Sequence, residues 1–180
     1  MLNKGFPEGE RVLALREWSY HQPIKGKANI DAYLSTHYAM IDYLIEKDGN
    51  ITAAIKDGWE LGRKAGTRFF VRFSDKIKKY GRNLEGVAKV LNEIYESITG
   101  KKFDEIEVGE KTIVFEDYKC PLCEDYVFPD EFKKEGRACI AISGVFTEVC
   151  NLAGLKVKCW ETKCKAAGDD CCRHELEITK

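Results

Sequence analysis

The chain has 180 residues, of which 44% are hydrophobic and 33% are charged, so it is long enough for one domain with a buried core. Its 29 basic and 30 acidic residues leave a formal net charge of −1, which provides no overall attraction for nucleic acid or an anionic membrane. The charged start and the lack of a long apolar run argue against a signal peptide and a membrane span. We therefore expect a cytoplasmic protein with reduced thiols.

The first hundred residues predict helices. Apolar residues recur at helical spacing in four segments, which are residues 8–20, 29–49, 50–73 and 83–100. Asn50 can cap the third of these helices, and Gly49 and Gly100 end the second and the fourth. Residues 1–28 are interpreted as an N-terminal helical extension and residues 29–180 as the domain that carries the function.

Three glycines lie on one face of the third predicted helix. Gly58, Gly62 and Gly66 recur every fourth residue, although glycine inside a helix costs about 1 kcal/mol relative to alanine. We interpret this stripe as a surface for the close approach of a second helix. Space left for a ligand is the alternative.

The spacing of apolar residues changes after the fourth helix. Two strands around a turn at Gly109 are predicted within residues 102–120, and a loop follows. A mostly apolar helix is then predicted over 137–154, and alternating residues predict strands over 155–164 and 171–179. This order predicts an α+β fold, in which N-terminal helices pack on an antiparallel sheet and one long helix is inserted between its strands.

All eight cysteines lie between Cys120 and Cys172. In the first of the two alternating strands, Glu161 shares a face with the apolar residues and should point into the core. In the last strand, Cys172 should face inward and Cys171 outward. A buried carboxylate must be protonated, ion-paired or bound to a metal, because an unpaired buried charge is costly.

The residues around Glu161 favour a metal. Glu161 and Cys164 flank a strand end, and Cys172 returns to it across a turn, so the three can converge on one small ion. Zn²⁺ fits best, since it accepts thiolate and carboxylate ligands in a four-coordinate site.

The fourth ligand must come from another segment. Cys139 is preferred, because it lies in the first turn of a predicted helix, where the helix N-terminus favours a thiolate. Cys120 and Cys123 of the CPLC motif are alternative metal ligands or reactive thiols, and His174 is a further alternative. Packing in the core is the competing interpretation for any single cysteine.

The C-terminal pattern resembles the vinyl-4-reductase domain family. The resemblance rests on three features: an apolar helix that opens with Cys139, a strand that ends in Glu-x-x-Cys, and a Gly-Asp-x-x-x-Cys motif that leads into the last strand. The second motif runs from Glu161 to Cys164, and the third from Gly168 to Cys172.

This resemblance implies the fold of the core subunits of the TRAPP tethering complex over about residues 29–180. It also implies a buried pocket for a hydrophobic small molecule, a homodimer formed through the N-terminal helices, and a zinc site beside the pocket. The implied zinc ligands are Cys139, Glu161, Cys164 and Cys172. The chain departs from the family in two ways. The gap between Cys139 and Glu161 is one residue shorter, and the CPLC pair is additional. The CPLC pair resembles a related branch of the family, the thiazoline-carboxylate hydrolases, in which a cysteine can be reactive.

We therefore expect a binding module or small-molecule sensor with a structural zinc. Four protein ligands leave the ion no open position for chemistry, so a non-enzymatic role is preferred. The candidates for the pocket lining, each with core packing as the alternative, are His37, Trp59, Phe69, Phe146 and Trp160. The competing functions are a cysteine- or zinc-dependent hydrolase, a reductase-associated protein and a structural partner protein, and no dinucleotide-binding glycine motif supports a reductase.

Overall fold

The computed structural model describes residues 27–81, 83–130 and 132–179. The predicted helix over residues 8–20 lies outside the described residues. The boundary proposed at residue 28 therefore stays a prediction.

Three helices form the N-terminal half, namely α1 (Lys27–Asp48), α2 (Ile51–Tyr80) and α3 (Leu84–Thr99). Their ends confirm the predicted cap at Asn50 and the predicted stop at Gly100. The side chain of Asn50 accepts hydrogen bonds from the backbone N–H groups of Thr52 and Ala53 at 2.8 and 3.4 Å. Gly100 ends α3 with a φ of 80°, a conformation that glycine adopts without steric cost.

α2 is longer than predicted, since it continues to Tyr80 instead of ending at residue 73. Its apolar face continues because Phe73 and Ile77, one turn apart, are both buried. The lysines around Ile77 lie on the solvent side, where the side chain of Lys78 is 79% exposed. No helix among the described residues, α2 included, has the length and apolar character needed to cross a membrane.

The sheet has four antiparallel strands in the order β1-β2-β4-β3. The strands are β1 (Glu105–Val108), β2 (Thr112–Asp117), β3 (Val157–Lys163) and β4 (Cys172–Ile178), and α4 (Ile140–Leu152) lies between β2 and β3 in the chain. β1 and β2 form the predicted hairpin at Gly109, whose N–H donates to the carbonyl oxygen of Thr112 at 2.9 Å. The predicted α+β fold with an inserted helix is therefore confirmed.

α4 packs on the sheet and on α2. A Cβ atom at Gly62 would lie 2.0 Å from the carbonyl oxygen of Ala141, and one at Gly144 would lie 2.1 Å from that of Trp59. Only glycine allows the two backbones to approach so closely. The glycine stripe of α2 thus serves helix packing, which was the preferred interpretation.

Candidate metal centre

Five of the eight cysteines and one glutamate meet in a buried group near one end of the sheet. This thiol cluster consists of Cys120, Cys123, Cys139, Glu161, Cys164 and Cys172. All eight cysteines of the chain are free thiols. The cluster contains every metal ligand and alternative thiol that the sequence pointed to, apart from His174.

Strand ends and one helix start bring the six residues together. Cys120 and Cys123 follow β2, Cys164 follows β3, and Cys172 begins β4. Because β4 pairs in antiparallel fashion with both β2 and β3, these ends lie side by side. Cys139 immediately precedes α4 at its N-terminal cap position.

A short 3₁₀ turn (Lys165–Ala167) connects Cys164 to the last strand. Gly168 ends this turn with a φ of 100°, in the left-handed region that favours glycine. The Asp169 carboxylate then accepts a hydrogen bond from the backbone N–H of Cys164 at 2.7 Å. The Gly-Asp pair of the sequence motif therefore stabilises the turn that returns the chain to Cys172.

The sulfur atoms of the cluster are in direct contact. Cys139 Sγ lies 3.3 Å from both Cys120 Sγ and Cys123 Sγ. Cys172 Sγ lies 3.4 Å from Cys123 Sγ and 4.0 Å from Cys139 Sγ, and Cys164 Sγ lies 3.8 Å from Cys123 Sγ. A Zn–S distance of about 2.3 Å places two sulfurs of a tetrahedral site about 3.8 Å apart. The spacing therefore suits a small cation.

Glu161 is the member of the cluster whose burial costs the most free energy. It is 4% exposed, and neither carboxylate oxygen has a hydrogen-bond partner within the described part of the chain. Burial raises the pKa of this carboxyl well above its usual range, and the negative charge of Cys164 raises it further, while Arg137 acts in the opposite direction. Arg137 donates from Nε to the backbone oxygen of Glu161 at 3.1 Å. The inward orientation predicted for Glu161 is confirmed, and the carboxyl must take up a proton or a cation.

Hydrogen bonds among the thiols lower the pKa values of some cysteines and raise those of others. Those from Cys123 and Cys139 lower the pKa of Cys120, and those from Cys123 and Cys172 lower that of Cys164. Hydrogen bonds to Cys120 raise the pKa values of Cys123 and Cys172, and burial raises that of Cys139. The surrounding groups therefore lower the pKa of only two of the five thiols. A divalent cation would favour ionisation of all five.

The ligand atoms form two overlapping sets of four, and within each set all atoms lie within 4.8 Å of one another. The first set is Cys120, Cys123, Cys139 and Cys172, and the second is Cys123, Glu161, Cys164 and Cys172. The four predicted ligands are divided between them, since Cys139 belongs only to the first set and Glu161 and Cys164 only to the second. Cys123, an alternative ligand on sequence grounds, belongs to both. The two-residue spacing of CPLC is the sequence signal for it.

Two neighbours of the cluster are placed differently from the sequence analysis. The expectation that Cys171 faces outward is wrong, because Cys171 is only 1% exposed. It precedes β4, which begins at Cys172, so strand alternation does not determine its orientation. His174, a further alternative ligand, has its Nδ1 atom 2.8 Å from Ser143 Oγ, and burial lowers its pKa to about 4. It packs as a neutral histidine.

The five candidates for a pocket lining are mostly packed or hydrogen-bonded. Phe146 is fully buried, and Phe69 packs at the margin of the core. His37 Nε2 and Trp59 Nε1 each donate to a backbone carbonyl oxygen, at 2.8 and 2.9 Å. Trp59 also stacks on Trp160, with ring centroids 5.2 Å apart. None of the five lines the apolar cleft described next.

An apolar cleft lies between α1, α2 and the segment that leads into α4. Its free volume is about 20 Å³, room for about one water molecule, and its walls include Leu44, Ala54, Phe128 and Ala138. The backbone N–H of Ala138 also donates to Cys164 Sγ at 3.3 Å. The cleft and the thiol cluster therefore share a wall.

Comparisons with known proteins identify the fold. No protein-family model matches the sequence, and no curated protein sequence does. The structure is similar to trafficking protein particle complex subunit 3 from Naegleria fowleri, solved covalently bound to palmitic acid, with a TM-score of 0.76 and 16% identity over 86% of this chain and 98% of that chain. An H-NOX protein from S. oneidensis in the Fe(II)NO ligation state matches with a TM-score of 0.50 and 12% identity, over 95% and 94%. At such identities the likeness shows the fold alone, and the predicted TRAPP-core-like fold is confirmed.

Proposed function

We propose that the chain is a small-molecule-binding module of the vinyl-4-reductase type, with structural zinc in the thiol cluster. The observation that carries the proposal is the carboxylate of Glu161, which has no hydrogen-bond partner among the described residues and lies within 4.8 Å of three sulfurs. A divalent cation satisfies this carboxylate and the thiols together, because both ligand types bind Zn²⁺.

The zinc connects segments that are distant in the chain. It joins the loop after β2, the start of α4 and the turn between β3 and β4, so it acts as a cross-link in a part of the fold with little regular structure. Protein side chains fill its coordination sphere, which favours a structural role over catalysis. We infer a cytoplasmic location, where thiols stay reduced and available to a metal.

The bound molecule is hydrophobic or aromatic. The apolar cleft supports the chemical class of the ligand, because aliphatic and aromatic side chains form its walls, with Arg137 as a polar group. These walls must move apart to admit a ligand, since the free volume between them is about 20 Å³. Its shared wall with the thiol cluster supports the arrangement of pocket and zinc that the family resemblance implies. The TRAPP subunit with the similar fold was solved with palmitic acid, so a long aliphatic chain is a suitable probe.

Binding to the cleft can be tested with palmitic acid and phenol as probes. Ala54→Phe fills the cleft, and we expect it to weaken the binding of whichever probe binds by about tenfold or more, which corresponds to about 1.4 kcal/mol. Ala65→Phe, at an exposed position of the same helix, is the control. Calorimetric titration measures both variants, and an unchanged zinc content shows that they fold. Binding of neither probe, with no small molecule carried through purification, would contradict the proposed pocket.

The N-terminal helices support the proposed homodimer. Tyr43 on α1 and Leu61 and Val71 on α2 are exposed apolar residues, and Val71 is 56% exposed. We expect light scattering to give twice the chain mass, and Val71→Glu to shift the protein toward the monomer without loss of zinc. A monomeric wild-type protein at high concentration contradicts the dimer and leaves the zinc site in place.

A hydrolase is the second candidate function. Cys120 and Cys123 border an open groove, and the pKa of Cys120 is lowered by its thiol neighbours. If both thiols bind zinc, iodoacetamide should alkylate them only after a chelator removes the ion. Rapid alkylation of Cys120 in the zinc-loaded protein would favour the hydrolase.

A further inference from the structure

The two sets of ligands in the thiol cluster share two sulfurs. Cys123 and Cys172 belong to both sets. The residues that belong to only one set are Cys120 and Cys139 in the first, and Glu161 and Cys164 in the second. The cluster is therefore organised as two coordination sites with a common edge.

A single ion satisfies only one of these sites. An ion in the first set leaves Glu161 buried without a cation or hydrogen-bond partner in the described part of the molecule. An ion in the second set leaves Cys120 and Cys139 as unused thiols, with their sulfurs 3.3 Å apart in the core. Two ions use all six side chains.

The shared sulfurs are suitably placed to bridge two ions. Cys123 Sγ and Cys172 Sγ lie 3.4 Å apart, and the members of each set are grouped around them. A thiolate sulfur has lone pairs for more than one metal bond. The remaining four ligands divide equally, so each ion would have two bridging sulfurs and two ligands of its own, which is the four-coordination usual for Zn²⁺.

The charge of the cluster does not oppose the second ion. One divalent ion with four singly charged ligands carries a net charge of −2, and two such ions with six ligands carry the same charge. Hydrogen-bond donors moderate it at two sulfurs: the N–H of Ala138 lies 3.3 Å from Cys164 Sγ, and the N–H of Lys165 lies 3.4 Å from Cys172 Sγ.

We propose that the thiol cluster is a dinuclear zinc site in which Cys123 and Cys172 bridge the two ions. Cys120 and Cys139 complete the coordination of one ion, and Glu161 and Cys164 complete that of the other. This inference rests on the proposed function only in that the cluster holds zinc. It adds a second ion and a role for the CPLC motif.

The number of ions per chain is the decisive measurement. The protein is purified with zinc and no chelator, and native mass spectrometry together with elemental analysis counts the bound metal. We expect two zinc ions per chain. One ion per chain overturns the dinuclear site but leaves the proposed structural zinc, whereas no zinc overturns both, so the two failures are distinguishable.

Variants of the unshared ligands test the assignment. Cys120→Ser removes a ligand of the first ion only and Glu161→Gln one of the second only, so each should reduce the content from two ions to one. Cys150→Ser, a buried thiol outside the cluster, is the control and should keep two. Retention of two ions in either ligand variant, confirmed as folded by circular dichroism, overturns the assignment.

Cadmium NMR tests the bridges without any mutation. With cadmium in place of zinc, we expect two metal resonances, each coupled to the β protons of both Cys123 and Cys172. The β protons of Cys120 should couple to one resonance and those of Cys164 to the other. Two resonances that share no cysteine would overturn the bridging arrangement.

Discussion

The effect of Glu161 on the stability of the fold depends on whether its buried carboxylate has a partner. Burial without a partner penalises an ionised carboxylate, and removal of one member of a buried charge pair typically costs about 3–5 kcal/mol. No protein group in the described chain satisfies this carboxylate, and a metal ion bound between it and the thiols would convert the penalty into a gain.

Glu161→Gln should therefore change stability with opposite sign in the presence and absence of metal. In excess zinc, we expect the variant to be about 3 kcal/mol less stable than the wild type, because a ligand is lost. In the presence of a chelator, we expect it to be at least as stable as the wild type, because the amide is neutral without the proton that the buried carboxyl must take up. Urea unfolding under both conditions measures the difference. A loss of the same size under both conditions would mean that Glu161 has no metal partner.

Asp117 is a second buried carboxylate, and it is satisfied by protein groups. Its oxygens accept hydrogen bonds from Lys101 Nζ at 2.7 Å, from the Tyr95 hydroxyl at 2.6 Å and from the backbone N–H of Lys119 at 2.8 Å. Burial raises the pKa of Asp117, and the hydrogen bonds from Lys101 and Tyr95 lower it. The contrast with Glu161 shows how this fold normally accommodates a buried acid.

Lys101→Met should destabilise the protein by about 1–3 kcal/mol, because it removes the cationic partner of Asp117. Lys102→Met is the matched control, since the one ion pair of Lys102 with a described residue is to the exposed Glu96 at 3.7 Å. The control should remain within about 0.5 kcal/mol of the wild type. Thermal unfolding compares the two, and equal effects would show that the Lys101–Asp117 pair contributes nothing specific.

At the scale of secondary structure, the packing of α2 on α4 depends on backbone contact. Gly62 faces the carbonyl oxygen of Ala141, which cannot move without displacing α4. Gly58 instead faces the side chain of Ile140, where an added Cβ would lie 3.0 Å from a methyl group. The same glycine stripe therefore contains one position that cannot accept a side chain and one that can, at the cost of a small shift.

Gly62→Ala should cost about 3 kcal/mol or more, because it forces the two helices apart. Gly58→Ala should be nearly neutral, since the gain in helix propensity of about 1 kcal/mol offsets the displacement of Ile140. Chemical denaturation of both variants tests the difference. Similar costs would show that the α2–α4 contact is not the tightest point of the fold.

The start of β4 offers another comparison between adjacent residues. Cys172 belongs to the thiol cluster, whereas Cys171 is buried outside it, where burial raises its pKa to about 11. Cys172→Ser should lose bound zinc. Cys171→Ser should keep its zinc, and its stability should fall only modestly, by the cost of burying a hydroxyl group. Elemental analysis distinguishes the two variants, and equal zinc loss in both would contradict the separation of these neighbours.

For the whole molecule, the metal and the helix–sheet core stabilise different regions. The segments over 118–128 and 164–171 contain cluster ligands and only short turns, whereas α2, α4 and the sheet share a large apolar core. Removal of zinc by a chelator should therefore increase amide hydrogen exchange in these two segments far more than in α2 or β2. Uniform deprotection would mean that the whole fold depends on the metal, and no change would mean that the thiols are ordinary core residues.

Local patterns were sufficient for much of the fold. Helical spacing predicted α1, α2 and α3, and alternation predicted the strands and the inward side chain of Glu161, because these features depend on residues a few positions apart. The alternation rule failed at Cys171, because this residue lies just before the start of β4. The end of α2 was also placed too early, since its last turns are held by tertiary burial of Phe73 and Ile77.

The sequence by itself determined the α+β order, the glycine stripe and the ligand types of the C-terminal motif, because short-range geometry sets all three. The tertiary structure alone decided that the loop with Cys120 and Cys123 folds onto the hairpin of Cys164 and Cys172, and that the cluster contains two overlapping sets. The path of a loop depends on the space that the packed helices and strands leave for it. Spacing along a sequence cannot encode which distant sulfur a loop will meet.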